Sequence, residues 1–166
     1  MTTKTPASLR ILVAHGVNLD LLGKRETAIY GNLDLATINA MLAAQIQPLA
    51  KLCRLPNCQL TFFQTNEESL YLNKFDESWH GALINPGAWS HTSLALADRL
   101  AGLQLPYVEV HLSNLAKREE FRHRTYTSPH ATGVVYGFGA ASYLTGLYGL
   151  LLSLVSQGKF NLVLPS

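Results

Sequence analysis

Four polar islands, each closing or following an apolar run, hold the residue types that could do chemistry in this chain. Asn18 ends RILVAHGVN and Asn85 follows GALI; His111 and Ser113 sit in VEVHLSN, and the loop GKRETAIYG carries Arg25 and Tyr30. A free phenol ionises near pH ~10, so forming its phenolate at pH 7 costs about 4 kcal/mol. A guanidinium beside it favours the charged form and removes a good part of that cost. Arg25 stands five residues from Tyr30 and Arg118 is a candidate second cation, which makes Tyr30 a credible general base. A tyrosine that only packs the loop is the plainer reading.

His111 lies two positions after Glu109, and alternation along a strand puts both side chains on one face. A carboxylate beside a histidine orients the ring and favours its charged form, which suits a general acid. The alternative is a core histidine bonded to backbone. Ser113 and Asn114 just past the strand offer loop amides and a hydroxyl of the kind that receive a carboxylate or phosphate, although both residues favour turns in any case. Arg118, Arg122, His123 and Arg124 crowd into KREEFRHR, which reads either as a solvated face paired with Glu119 and Glu120 or as an anion site. His91 opens a helix and could hold a hydroxyl group. Asp98, seven residues on, is expected on the same helical face, where a solvated or subunit-bridging role is the alternative to a substrate contact.

These groups need elements to gather them. Apolar runs of this length read as buried parallel strands: Arg10–Ala14, Gln59–Gln64, Ala82–Asn85, Tyr107–Leu112 and Gly133–Tyr136. Helical stretches separate them. One starts after Asp34 as N-cap and is expected to kink or end at Pro48. Thr65 with Glu68 suggests a capping box. A third covers roughly Thr92–Gly102, with Gly102 as its C-cap, and a long apolar helix follows from Gly139. Alternating strands and helices imply an α/β three-layer sandwich around a five-stranded parallel sheet, and the flavodoxin-like order 2-1-3-4-5 suits five strands best. In such a sheet ligands bind beyond the carboxyl ends of the strands, where the polar islands converge. The loop 16–31 is long for a βα connection and reads as an active-site lid. Residues 1–8 are expected to be a mobile tail, and 1–166 to form a single domain.

Composition narrows the partners. The chain has 166 residues, 48% hydrophobic and only 14% charged, which suggests more apolar surface than a monomer needs to cover. A formal charge of +2 is too small to imply nucleic acid or an acidic membrane. Polar residues dilute the apolar stretch Gly139–Gly158, so a core or subunit-interface helix is expected there rather than a membrane span. Cys53 and Cys58 are the only cysteines, and with no apolar leader the expectation is a cytoplasmic protein with reduced thiols. Neither they nor the six histidines show metal-ligand spacing, and no metal is expected. GFGAAS at Gly137–Ser142 grazes a dinucleotide fingerprint but has Ser142 in place of the third glycine.

At these residues the chain resembles the type II 3-dehydroquinate dehydratases. The strongest pieces are LLGKRE with IYG, INPGAWSHTSLALAD, and VEVHLSN followed by REEFRH and SP, in order from about Arg10 to Tyr148. The resemblance implies conversion of 3-dehydroquinate into 3-dehydroshikimate by anti elimination through an enolate, without metal or cofactor, in a dodecamer built from trimers. It implies Tyr30 as base with Arg25 tuning it, Asn18 holding the water that stabilises the enolate, and His111 protonating the departing hydroxyl. Asn85 and the amides of Leu112 and Ser113 would take the substrate carboxylate, and His91 and Arg122 the ring hydroxyls. Glu109 and Arg118 would support acid and base, and Asp98 would reach in from a neighbouring subunit.

The chain departs from that family's usual pattern at four points. His15 and Val17 stand where NGPN is usual, Glu67 replaces a histidine, and Ala97 replaces an arginine. Two other functions fit the same islands: a relative that binds a carboxylate without turning it over, and a flavin- or nucleotide-binding protein of the same architecture. The second lacks a phosphate loop after strand one. Whether the enzyme would serve shikimate synthesis or quinate breakdown is open, since both use the same reaction.

Overall fold

A computed structural model describes residues 8–24 and 33–156. Five strands, β1 (Ser8–His15), β2 (Asn57–Gln64), β3 (Gly81–Asn85), β4 (Tyr107–His111) and β5 (Gly133–Tyr136), form one parallel sheet in the order β2-β1-β3-β4-β5. This is the flavodoxin-like arrangement expected from the alternation of strands and helices. Among the helices are α1 (Leu35–Leu52), α2 (Glu68–Asn73), α3 (Trp89–Thr92), α4 (Leu94–Leu103) and α5 (Ala141–Leu154).

Alternate residues of β1 feed opposite layers. Leu9, Ile11 and Val13 pack with Ile38, Leu42 and Ile46 of α1 and Leu147, Leu150 and Leu154 of α5. Leu12 and Ala14 pack instead with Tyr71 of α2, Phe75 and Leu96 and Leu100 of α4. The strands are thus covered on both sides, which is why they read as continuous apolar runs. The uncharged C-terminal stretch accordingly forms a core helix: its buried residues Tyr143, Gly146, Leu147, Leu150 and Leu154 recur at helical spacing. Among the described residues no helix is long and apolar enough to cross a membrane.

Several local expectations are corrected. Ser8 opens β1 and so is no part of a tail; the remaining residues of that expectation lie outside the described ones. Asp34 caps α1 through Thr37 N–H at 2.8 Å, but the helix runs through Pro48 to Leu52. Pro48 and Ala44, whose carbonyl loses its partner, both sit on the exposed face, where water can satisfy it. The capping box does not form. Thr65 Oγ1 accepts from Glu67 N–H at 3.0 Å, closing a local turn, and Glu67 is the N-cap of α2 without a side-chain bond. Gly102 lies inside α4, and Gln104 takes the left-handed position (φ 49°).

The helix expected from Thr92 is in fact two. Ser93 is extended (φ −100°, ψ 102°), ends α3 and caps α4 by accepting from Leu96 N–H at 2.9 Å. That break undoes the shared face of His91 and Asp98.

Candidate active site

Three of the polar islands terminate a strand or follow it at the carboxyl rim. Asn85 is the last residue of β3 and His111 the last of β4. Asn18 follows β1 in the left-handed conformation (φ 64°), and its backbone N–H donates to Asn66 Oδ1 at 2.8 Å. Gly16 sets the spacing between the first two islands. Its N–H donates to Asn85 O at 2.8 Å, and a Cβ there would lie 2.3 Å from Pro86 O. Only glycine lets the turns after β1 and β3 touch backbone to backbone. Gly87, at φ 63°, completes the second turn and donates its N–H to Asn85 Oδ1 at 3.1 Å.

Eight of the expected site residues line one pocket: Asn18, Asn85, His91, His111, Leu112, Ser113, Arg118 and Arg122. Glu109 lies directly behind it, fully buried, and accepts from His111 Nε2 at 2.7 Å, as strand alternation predicts. Asp98 does not line the pocket and is exposed on α4. Arg25 and Tyr30, with the rest of the expected lid beyond Lys24, lie outside the described residues.

Two histidines face one another across the pocket with ring centroids 6.2 Å apart and planes 25° apart. His91 Nδ1–H donates to Arg124 O at 2.8 Å, leaving Nε2 as a potential acceptor. Burial holds the His91 imidazole below its ordinary pKa, with His111 and Arg122 adding to that effect, so it is neutral at pH 7 and suited to accept a hydroxyl. His111 is different: with Nε2–H committed to a carboxylate, its Nδ1 is left for a ligand. Ser128 Oγ also donates to Glu109 Oε1, at 3.1 Å, and Thr125 Oγ1 donates in turn to Ser128 Oγ. Among the described residues, Glu109 Oε2 is buried without a hydrogen-bond partner.

The arginines form the opposite electrostatic wall. Arg118 Nε and Arg122 Nε reach the same oxygen of Glu119 at 3.2 and 3.1 Å, and Arg118 also donates to Ser113 Oγ at 3.3 Å. One exposed carboxylate thus orients two guanidiniums at the rim, and the two cations hold Glu119 below its ordinary range alongside a backbone hydrogen bond, the largest cause. Within KREEFRHR, Glu119 pairs with Arg118 and Arg122, and the same two cations line the pocket. Loop amides after β4, two arginines and Asn85 together present donors suited to an anion.

Sequence reading missed several contributors. Leu19, Leu21, Leu22 and Leu115 give the pocket an apolar wall. Ser128 approaches Glu109 from 19 residues away, a pairing with no local signature. Asn66 holds Asn18 in the same way from across the sheet edge. Of the four departures, only Val17 lines the pocket. His15 is buried beneath it, Glu67 caps α2, and Ala97 is buried in α4. Among the described residues no cluster of three or more His, Cys, Asp or Glu side chains could hold a metal ion.

Comparison with known proteins places this geometry. A curated 3-dehydroquinate dehydratase of Nostoc sp. is 47% identical over 150 residues, covering 88% of this chain and 97% of the relative. The crystal structure of a type II dehydroquinase from Butyrivibrio crossotus superposes with a TM-score of 0.77 at 35% identity, over 87% of this chain and 99% of that one. A second, from Propionibacterium acnes, gives 0.68 at 36% identity, over 89% and 96%. The family model described as dehydroquinase class II matches residues 9–151, from the second residue of β1 to the last turns of α5. The rim of polar islands therefore has a family: this chain belongs to the class II dehydroquinases.

Proposed function

We propose that the protein is a single-domain hydro-lyase that converts 3-dehydroquinate into 3-dehydroshikimate by anti elimination through an enolate. Its family and the activity of its relatives support the overall reaction. The observation that carries the finer reading is the His111–Glu109 pair at 2.7 Å on the wall of a pocket that also holds two arginines.

Tyr30, as phenolate with Arg25 beside it, takes the proton from the carbon next to the ketone. The electron pair moves onto the ketone oxygen, and a water held by Asn18 stabilises that enolate. As the enolate collapses, the carbon–oxygen bond on the opposite face breaks and the His111 imidazolium gives its proton to the leaving hydroxyl, releasing water. The Tyr30 phenol and the neutral His111 then exchange protons with solvent to reset the site. Glu109 at 2.7 Å supplies the counter-charge while His111 is protonated. Asn85 with the amides of Leu112 and Ser113 receives the carboxylate, His91 and Arg122 take the ring hydroxyls, and Arg118 supports the base. Every proton in this scheme moves through a protein side chain or water, so it calls for no cofactor.

The assembly belongs to the same proposal. Asp98 is exposed and away from its own pocket, and Leu94 on the same helix is 60% exposed. Both suit a homo-oligomer, a dodecamer built from trimers, in which Asp98 completes a neighbour's site. A cytoplasmic setting agrees with Cys53 and Cys58 being buried free thiols.

An ultraviolet assay with 3-dehydroquinate, following the conjugated enone with a chelator present, tests the reaction. Rising absorbance is expected, and Tyr30→Phe should lower turnover by at least about 10²-fold while binding is largely kept. Folded, assembled protein that produces no enone but still binds the substrate would instead make this a carboxylate-binding relative.

A further inference from the structure

The elimination makes no use of His15, yet this histidine is fully buried and lies one strand away from the carboxylate site. It ends β1 directly opposite Asn85, the last residue of β3, in the parallel register. Both side chains face the layer of α1 and α5, because they keep the parity of Val13 and Leu83. There His15 Nε2 meets Asn39 Oδ1 at 2.8 Å and Nδ1 meets the Tyr143 hydroxyl at 2.9 Å. The Asn85 side chain, on the same face one strand across, is the polar group that this hydroxyl senses.

The chemistry of these atoms fixes the direction of every bond. Asn39 Oδ1 can only accept, so His15 carries its proton on Nε2. Nδ1 is then a lone pair and must receive the Tyr143 O–H. The phenolic oxygen, its proton spent, can only accept from its remaining neighbours, and the Asn85 amide is the donor on that side. Asn85 Oδ1 is already occupied by the Gly87 N–H at 3.1 Å. One amide proton is left, and Asn85 lines the pocket.

We propose that His15 is a positioning residue that acts through Tyr143 to hold the Asn85 amide with one N–H offered to the substrate carboxylate. This rests on the reading of Asn85 as a carboxylate ligand. The burial of the relay supports it: water does not reach His15 or Tyr143 to substitute for a missing partner. The burden on His15 is specific to a chain with HGVN after its first strand, since a shorter side chain there would meet the hydroxyl differently.

Three measurements test the relay. Nitrogen-15 NMR of the imidazoles at neutral pH should show His15 with its proton on Nε2. Tyr143→Phe and His15→Phe should each raise KM for 3-dehydroquinate about fivefold to tenfold with kcat within twofold, because an orienting hydrogen bond serves ground and transition states alike. The double variant should be no worse than either single one. His15→Gln, which keeps one donor and one acceptor, should stay within about threefold of the parent KM. A proton on Nδ1, unchanged KM in both phenylalanine variants, or effects that multiply in the double would overturn the proposal. Calorimetric affinity for quinate, a carboxylate of the same ring that cannot form the enolate, separates the two failures. A parent protein without turnover refutes the reaction, while the variants' loss of quinate affinity still decides the relay.

Discussion

The two faces of the sheet deliver a histidine to the same rim by opposite means. On the α2–α4 face, His111 ends β4 bonded to a fully buried carboxylate. On the α1–α5 face, His15 ends β1 bonded to an amide and a phenol, both neutral. Burial pushes the His15 pKa down to about 4, only partly offset by the Asn39 bond. One ring sits where a proton would meet a counter-charge, and the other where it would meet none. The difference lies in the partner rather than in depth: 6% of His111 and 0% of His15 is exposed. In a dry environment a carboxylate two positions along the same strand allows proton chemistry, whereas neutral partners make a fixed hydrogen-bond post.

The most severe way to break this contrast is at the charged side. His111→Asn retains a polar side chain of similar reach but no transferable proton, and kcat should fall by roughly 10²–10⁴-fold. Glu109→Gln is the sharper experiment. It keeps an acceptor for His111 and Ser128 but removes the counter-charge, so a loss of roughly 10–10²-fold in kcat with KM little changed is expected. An equal rise in KM would mean that Glu109 only shapes the pocket.

The neutral side is tested by acid. The folded His15 titrates at about 4 against 6.5 unfolded, so the unfolded chain binds the extra proton first as pH falls. Stability from this group is therefore complete above pH 6.5 and is lost between 6.5 and about 4, a difference of about 3 kcal/mol. Urea unfolding of the parent and of His15→Phe across that window should show the parent losing about that much more. Parallel curves would place the ring in a less costly environment. The smallest effect belongs to Ser128→Ala, which removes one donor from Glu109. A net loss of about 1 kcal/mol, read as a severalfold drop in kcat, is expected.

What could be read from residues alone follows the same division. Strand alternation placed Glu109 beside His111, and abrupt polar ends marked the rim, because both signals are local and periodic. Sheet order followed from five apolar runs separated by helical stretches. Partners that meet only in space stayed hidden. His15 reads in the sequence as a departure from a pattern, and its role depends on Asn39 and Tyr143, which come from two different helices. Ser93 looked like one more helical residue, yet its extended backbone splits α3 from α4 and sends Asp98 away from His91. Pro48 and Gly102 were weighted by intrinsic propensity, and solvent access at one and the continuing α4 ladder at the other outweighed it. Arg25 and Tyr30 remain readings of sequence and resemblance.

The backbone contact between Gly16 and Pro86 also sets an order of events during folding. It joins segments about seventy residues apart, and it forms only when β3 has docked against β1. Helices can condense earlier, since their contacts are close in sequence and long-range closure is slow. A refolding chain should therefore regain its helical signal before it can bind any ligand at the rim. Ligand binding during refolding would then report that β1 and β3 have docked.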